Sequence, residues 1–273
     1  AAPQEGTGMH ILSRRIGGTL AASCLAWAAA LADDTSRTVG PATTTIAHRF
    51  VPALFGSGPE SLRNLLTCPE SKVPGGQVLI SCKVRVDAQG QVGPGDSFCA
   101  APRGTPMRYR QHMEGILGAS KFQAARVDEV AVPVQFFLVA WFRDEDGDCT
   151  ASVVLNGGER DREMGLNYIG PQEIVSDGGW AQRVNFRKHW DRQRVWSRSG
   201  AVARFSVAVS ESGEASDGRV ERHDTQFFDS AEVVKALAGS RFVPGFHRGH
   251  PRAMRYYDNL HVVSLRDSYF FDD

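Results

Sequence analysis

The feature that constrains this chain most is an internal repeat with a period of about 120 residues. The first copy opens with LISCKVRVDAQGQV at 79–92, and the second opens with VARFSVAVSESGEA at 202–215. Apolar and polar residues alternate along both segments, and each alternation ends in a turn that contains Gly90 or Gly213. Alternation of period two predicts a strand with one buried face, and glycine supplies the positive φ of a tight hairpin. Each copy is therefore predicted to begin with a β-hairpin, whose return strand carries Val92 or Val220.

The rest of the repeat predicts a helix and a long final strand. The helices are predicted over Tyr109–Ala119 and Ser230–Ala238, with Ser230 as the N-cap of the second. Branched and aromatic residues, which strands prefer, dominate the segments at 130–144 and 255–267. Because these features recur in one order, the sequence predicts an α+β fold of two tandem β-β-α-β units. Each unit is expected to be a three-stranded antiparallel sheet with a helix on one face.

The amino-terminal sequence has the pattern of an export signal. Arg14 and Arg15 precede an uncharged run from Ile16 to Ala32, which is typical of a cleaved secretory signal peptide. An uncleaved inner-membrane anchor is the alternative. The predicted organisation is an upstream remnant at 1–8, the signal peptide at 9–32, an N-terminal extension at 33–75, a first unit at 76–145, a connecting segment at 146–199, a second unit at 200–268 and a tail at 269–273.

The cysteines that follow the signal peptide are Cys68, Cys82, Cys99 and Cys149. An even number of cysteines in an exported chain predicts two disulfides, for which three connectivities are open. We favour Cys82–Cys99, because the insertion at 93–95 invites a β-bulge that brings Cys99 level with Cys82 across the first hairpin. Cys68–Cys149 then joins the two ends of the first unit.

Composition and motifs argue against several classes of function. Lys and Arg number 31, and Asp and Glu number 31, which is a poor match to a dedicated nucleic-acid-binding protein. The sequence has no Gly-x-Ser-x-Gly, no phosphate-binding loop and no His-Glu-x-x-His. We therefore predict no catalytic, metal-binding or cofactor-binding residues, no cofactor and no nucleic-acid partner. A periplasmic enzyme with an unrecognised site is the remote alternative.

Three short motifs stand in the same order in both copies. In the first copy they are V-x-V-D-x-x-G-x-V at 84–92, Ser120-Lys121-Phe122 with Ala124, and the strand at 130–142. In the second they are Val207, Val209 and Gly213, Ser240-Arg241-Phe242 with Pro244, and the strand at 255–266. This arrangement resembles the TonB carboxy-terminal domain. The resemblance implies a periplasmic module of a Gram-negative envelope that pairs an edge strand with an extended segment of another protein.

The expected function is that of a non-catalytic periplasmic TonB-like protein that binds an envelope protein or extended peptide by edge-strand pairing. An outer-membrane receptor is one candidate partner. The alternative is a true TonB-type energy transducer, held in the inner membrane by an uncleaved amino-terminal anchor. Membrane contact is expected only if that segment is retained. Three features favour the binding protein over the energy transducer. They are the cleavable signal, the scattered prolines of 33–75 and the doubled domain.

The final strand of each unit has no later strand in its own unit to pair with, so one side of it is a candidate binding edge. In the first copy, 132–142 carries almost no charge, and we expect the second unit or a twin chain in a homodimer to cover it. In the second copy, polar and charged residues interrupt the apolar run. The predicted partner-binding edge consists of Asn259, Leu260, His261, Val262, Val263, Ser264 and Leu265.

Overall fold

The computed structural model of the chain describes residues 48–102, 104–157, 161–184, 202–223 and 229–261. They all fall within one structural unit, Ile46–Asp273. The predicted remnant at 1–8, signal peptide at 9–32 and tail at 269–273 lie outside the described residues. No helix in the described ranges is long and apolar enough to cross a membrane.

The described residues form short helices and many strands. The helices are α1 Leu62–Leu65, α2 Met107–Ala119, α3 Asp161–Met164, α4 Trp180–Arg183 and α5 Ser230–Ala238, with a 3₁₀ turn at Pro74–Gly76. The strands are β1 Phe50–Val51, β2 Gln77–Val86, β3 Ser97–Ala100, β4 Ala125–Val127, β5 Val130–Val132, β6 Val134–Glu145, β7 Asp148–Val154, β8 Tyr168–Ile169, β9 Gln172–Ile174, β10 Val202–Val209, β11 Ala215–His223, β12 Phe242–Val243, β13 Gly245–His247, β14 His250–Arg252 and β15 Met254–His261.

Two larger antiparallel sheets organise these elements. The N-terminal sheet has the strand order β12-β9-β6-β2-β3, and β7 also pairs with β6. The C-terminal sheet has the order β11-β10-β15. Two small three-stranded sheets have the orders β1-β4-β5 and β14-β13-β8. The fold is therefore α+β with antiparallel sheets, in agreement with the predicted class.

Strand β2 shows how the alternating sequence becomes one face of a core. Every second side chain from Val78 to Val86 is buried, and the residues between them are partly exposed. Helix α2 packs against this core through Tyr109, Met113 and Leu117. Full burial of one such aliphatic or aromatic side chain stabilises the fold by about 1.5–3 kcal/mol.

Both predicted helices are present, with differences at their starts. Helix α2 begins at Met107, two residues earlier than predicted, and ends as predicted. Helix α5 has the predicted bounds, but its N-cap is Asp229 rather than Ser230. The Asp229 carboxylate accepts a hydrogen bond from the Ala231 N–H at 2.8 Å, which satisfies a donor that has no partner within the first helical turn.

The return strands of the two hairpins differ. Val220 lies on β11 as predicted. Val92 is buried but precedes the paired return strand β3, which begins at Ser97. The reason is a turn between these two residues, closed by a hydrogen bond of 3.0 Å from the Asp96 N–H to the Gly93 carbonyl oxygen.

Gly90 and Gly213 make the same close contact at the ends of β2 and β10. Their φ angles are +85° and +77°. The Phe122 N–H donates to the Gly90 carbonyl oxygen at 2.8 Å, and the Phe242 N–H donates to that of Gly213 at 3.1 Å. A β-carbon would lie 2.0 Å from the Phe122 oxygen in the first case and 2.2 Å from the Phe242 oxygen in the second. Both positions therefore require glycine, for backbone conformation and for close approach.

Several strand pairings recur about 120 residues along the chain. The matching pairs are Phe50↔Val127 and Tyr168↔His247, Leu54↔Gln123 and Gln172↔Val243, Gln91↔Lys121 and Glu214↔Arg241, and Val84↔Phe136 and Val207↔Tyr256. Strands β1 and β8, β2 and β10, and β6 and β15 therefore hold matching positions, with a spacing of about 120 residues between β6 and β15.

Strand β6 lies inside its sheet. Strand β2 pairs with one of its edges, and β7 and β9 pair with the other. Both covering strands belong to the segment 146–199, so this segment supplies the cover that we expected from the second unit or from a twin chain. A turn at Asp146-Gly147, with φ angles of +56° and +91°, directs β7 back along β6.

Candidate functional site

Strand β15 has one paired edge and one edge for which the described residues supply no partner. Strand β10 pairs with it along its length, from Val202↔His261 to Val209↔Met254. Within the described ranges, no other strand pairs with β15. The backbone N–H and C=O groups of such an edge are a template for pairing with another extended chain.

The hydrogen-bond pattern shows which backbone N–H and C=O groups of β15 point away from β10, toward the unpaired edge. In an antiparallel ladder, every second residue directs its N–H and C=O to the same neighbouring strand. The Ser210 N–H donates to the Glu214 carbonyl oxygen across the β10–β11 hairpin at 2.9 Å, which fixes the alternation along β10. The Asn259 N–H donates to the Asp258 carboxylate at 2.7 Å, in agreement with that alternation. The β15 residues whose backbone groups point away from β10 are then Arg255, Tyr257 and Asn259.

A shallow groove runs beside the amino-terminal half of this edge. Its cavity volume is about 30 Å³, within about 380 Å³ of space that includes open solvent. Aromatic and apolar side chains form most of its lining, among them Phe137, Tyr168, Pro171, Met254 and Tyr257. A strand added to β15 would direct side chains along this lining, because alternate side chains of a strand point to the same face.

The predicted edge residues are only partly described. Asn259, Leu260 and His261 lie on β15. Val262, Val263, Ser264 and Leu265 lie outside the described residues. Sequence reasoning missed Arg255 and Tyr257, although the strand it predicted from residue 255 includes them. The predicted edge lies nearer the carboxyl end of the strand, because it was chosen from the charged residues that interrupt the apolar run and not from hydrogen-bond geometry.

The structure contains the two disulfides that the sequence favoured. Cys82 lies directly opposite Cys99 in the β2–β3 pair, and both residues are buried. Cys68 is joined to Cys149 across a sequence separation of 81 residues, which links the N-terminal extension to β7. Disulfides of this kind are typical of proteins from oxidising compartments.

A buried polar cluster lies where β2, β6, β9, α4 and β15 meet, and the sequence did not predict it. We call it the Glu173–Asp258 cluster. Its members are Lys83, Gln135, Glu173, Trp180, Arg183, Ser240, Tyr256 and Asp258. Because its members come from both larger sheets, the cluster fixes β15 relative to the N-terminal sheet.

Asp258 is fully buried, and its charge is compensated. Its carboxylate accepts hydrogen bonds from the Lys83 ammonium at 2.8 and 2.9 Å and from the Trp180 indole N–H at 2.7 Å. The Tyr256 hydroxyl donates a longer bond of 3.3 Å to it. Burial raises the pKa of Tyr256 well above its ordinary value, so the phenol keeps the proton that it donates. Charge-assisted bonds of this kind are stronger than those between neutral groups.

Glu173 is the second buried carboxylate. It accepts hydrogen bonds from the Trp180 backbone N–H at 2.7 Å and from the Ser240 hydroxyl at 2.8 Å, and the Arg183 guanidinium lies 3.8 Å away. Burial is the main cause that raises the pKa of Glu173, to about 7, and the Asp258 carboxylate adds to the rise. The hydrogen bonds from Ser240 and Trp180 and the Lys83 charge act in the opposite direction.

The positions that match Asp258 and Trp180 in the other half of the fold are apolar. The pairs Cys82↔Leu138 and Phe205↔Asp258 place Leu138 where Asp258 lies. Leu62 begins α1 as Trp180 begins α4, and both are buried. Buried charges commonly stabilise a fold less than well-packed apolar residues do. We therefore interpret the cluster as a device that specifies one placement of β15.

The cluster contains acid and base groups, but its two carboxylates are enclosed by protein. The side chains of Glu173 and Asp258 have no exposed surface. A catalytic acid or base must come within hydrogen-bond reach of a reacting atom. In this conformation neither carboxylate is placed to reach a substrate.

The raised pKa of Glu173 makes stability depend on pH. The folded protein holds this proton up to about pH 7, whereas an ordinary glutamate releases it near 4.5. Below pH 4.5 the contribution is fully present, and it is lost as the pH rises to about 7. The stability lost over this window is about 3 kcal/mol. We expect Glu173→Gln, which keeps an acceptor for Trp180 and Ser240, to remove this dependence.

Urea unfolding of the wild type and of Glu173→Gln across the same pH range measures this difference. We expect similar stabilities near pH 4.5 and a more stable variant above pH 7. Glu129→Gln is the matched control, because the Glu129 side chain is 62% exposed and forms a surface ion pair with Arg49. A stability difference between wild type and Glu173→Gln that does not change with pH contradicts the prediction.

Within the described ranges, no group of three or more His, Cys, Asp and Glu side chains is placed to hold a metal ion. Neither a protein-family model, nor a curated protein, nor a solved structure matches this chain. These comparisons give no support to the resemblance to the TonB carboxy-terminal domain, which stays a prediction.

Proposed function

We propose that this chain is a non-catalytic periplasmic binding protein that captures extended segments of envelope proteins by strand addition to the edge of β15. In this proposal the chain consists of two tandem β-β-α-β units similar to the TonB carboxy-terminal domain. The single observation that carries the proposal is the edge of β15, which has no partner strand among the described residues and is bordered by the groove.

The recurring strand pairings support the duplication within this proposal. The same order of elements is found in many folds, but the recurrence of matching residue pairs at a spacing of about 120 residues is a stricter criterion for duplication. The glycine contacts of Gly90 and Gly213 add an independent match, because each depends on one carbonyl oxygen of a phenylalanine after the helix. A duplicated chain offers two candidate edges, of which β7 and β9 cover the first.

Export to the periplasm is supported by the two disulfides. A binding role rather than catalysis is supported by the enclosure of the buried carboxylates and by the open backbone groups of β15. Main-chain hydrogen bonds along such an edge give affinity, and pockets for alternate side chains give selectivity.

Replacing Tyr257 by proline tests the proposal. Proline removes the backbone N–H that Tyr257 directs to the open edge and keeps the bonds between β15 and β10, as edge positions tolerate. A displayed library of random peptides is selected on the disulfide-bonded wild-type protein, and the selected peptides are then titrated against variants. We expect Tyr257→Pro to weaken them by at least about tenfold.

Tyr257→Thr is the matched control, because it also loses the ring and its contact with Arg204 but keeps the N–H. We expect this variant to bind the selected peptides more tightly than Tyr257→Pro does. Circular dichroism verifies that both variants fold. Equal affinities of the two variants, or a wild type that selects no peptide, would show that the edge is not the binding site.

A further inference from the structure

A lysine amine and an aspartate carboxyl group face each other in the Glu173–Asp258 cluster. Lys83 lies on β2 and Asp258 lies on β15, and 175 residues separate them in the sequence. The Lys83 Nζ lies 2.9 Å from Oδ1 and 2.8 Å from Oδ2 of Asp258. Because Cγ lies between these two oxygens, Nζ is about 3 Å from it, within the range of ~3–3.5 Å at which two groups are placed to react.

We propose that Lys83 and Asp258 join in an intramolecular amide bond, which ties the N-terminal sheet covalently to β15. Both reactants belong to the chain itself, so their enclosure does not prevent the reaction, and the proposal does not depend on what the β15 edge binds. The structure contains the ion pair that precedes the reaction. The stability changes expected for Glu173→Gln and Lys83→Met apply to the chain in that state.

The bond forms by condensation, which changes no oxidation state and needs no further reactant. A proton first passes from Nζ to Oδ1, which converts the ion pair into an amine with a lone pair and a carboxylic acid. The amine then attacks Cγ, so that the Nζ–Cγ bond forms and the bond between Cγ and Oδ1 breaks. Of the three protons of the ammonium, one stays on the amide nitrogen, and two leave with Oδ1 as water.

Two donors are placed to stabilise the negative charge that develops on Oδ2 during the attack. The Trp180 Nε1 lies 2.7 Å from Oδ2, and the Tyr256 hydroxyl lies 3.3 Å from it. Donors fixed toward such an oxygen stabilise its charge most where water is excluded. Asp258 is fully buried, and Trp180 and Tyr256 are 1% and 2% exposed. The site therefore supplies fixed donors in surroundings from which water is largely excluded.

Burial also favours the amide over the ion pair. Two opposite charges in a protein interior carry a desolvation cost that their attraction often does not offset. Condensation removes both charges and leaves a neutral amide, whose carbonyl oxygen Oδ2 keeps the Trp180 indole N–H as a donor. The Lys83 side chain is 23% exposed, which gives the released water a path to solvent.

The other half of the fold shows that the repeated architecture does not require this pair. Val84↔Phe136 matches Val207↔Tyr256, so Ser206 corresponds to Lys83, and Leu138 corresponds to Asp258. A serine and a leucine side chain cannot form an amide. The repeat therefore does not explain why a lysine and an aspartate meet here.

Mass spectrometry of the full chain, incubated in the folded state and then reduced, tests the proposal. We expect the wild type to be lighter than Lys83→Arg by one water molecule, after allowing for the substitution itself. Arginine is the matched control, because it keeps the positive charge but remains protonated and does not attack a carboxyl group. A tryptic digest of the wild type should contain a branched peptide in which Lys83 is joined to Asp258. Cyclisation of another aspartate also removes one water, but it does not produce this branched peptide.

Two further variants test the chemistry of the reaction. Trp180→Phe keeps an aromatic ring but removes the donor to Oδ2, so we expect it to form the branched peptide at least about tenfold more slowly. Asp258→Asn should form the same amide with loss of one ammonia instead of one water. Circular dichroism verifies that both variants fold. A folded wild type without the branched peptide after prolonged incubation overturns the proposal, and so does its formation at the same rate in urea, where the fold no longer holds the two groups together.

Discussion

Lys83→Met is expected to lower the free energy of unfolding by about 3–5 kcal/mol, because it leaves the Asp258 carboxylate buried without its counter-charge. Methionine has nearly the length of lysine, so packing against Trp180, whose ring lies 5.8 Å from the ammonium, is largely kept. The Asp258 side chain has no exposed surface through which water could replace the lost ammonium. Denaturant unfolding at neutral pH, followed by tryptophan fluorescence, gives the stability change.

Two further variants make this prediction specific to the ion pair. Arg85→Met changes a cation two residues along the same strand. Its guanidinium donates a long bond of 3.3 Å to the Val175 carbonyl oxygen, so the substitution should cost less than about 1 kcal/mol. Asp258→Asn in the Lys83→Met background removes the unpaired charge and keeps an acceptor for Trp180, so it should restore most of the loss. A Lys83→Met variant no less stable than Arg85→Met would contradict the prediction.

The elements that could be predicted from the sequence are those with local causes. The alternation that ends at Gly90 predicted β2 and its turn, and the apolar spacing within 230–238 predicted α5. The disulfide pairing could be favoured because hairpin register depends on nearby residues, here the insertion before Cys99. The capping error at Ser230 was also local, since aspartate and serine are nearly equivalent N-caps and stand side by side.

The buried cluster could not be predicted, because its partners are distant in sequence. Lys83 and Asp258 are separated by 175 residues, and their contact depends on how β15 meets the N-terminal sheet. One local signal was present. Asp258 follows Met254 and Tyr256 at period two, which places a carboxylate on the buried face of its strand. A buried carboxylate requires a partner, but the alternation does not say which cation supplies it.

The cover on β6 was missed for a related reason. An uncharged strand such as β6 is expected to be covered by another part of the protein, but the sequence of the strand does not identify the covering segment. Strand β7 lies in the segment that was predicted only as a connection between the two units, and Asp148, Thr150 and Ser152 are exposed on it. An edge strand with one polar face carries a weak apolar signal, so such strands are the ones that alternation detects least well.

Removing the Cys68–Cys149 disulfide should cost about 4 kcal/mol, because the bond restrains the unfolded chain over a sequence separation of 81 residues. Cys68→Ala/Cys149→Ala is the appropriate variant, since both residues are only partly buried and their loss leaves little empty space in the core. The bond joins the N-terminal extension to β7, the strand that covers β6. Its loss therefore also weakens the cover on an apolar strand.

The mechanism predicts a second observable in the same experiment. Without the bond the unfolded ensemble expands and exposes more surface, so the dependence of unfolding free energy on denaturant concentration should become steeper. Each single variant should lose about as much stability as the pair, because either one breaks the bond. Cys82→Ala/Cys99→Ala, which opens a sequence separation of only 17, should steepen that dependence less. A Cys68→Ala/Cys149→Ala variant with wild-type steepness and a loss below about 1 kcal/mol would show that the bond does not restrain the unfolded chain.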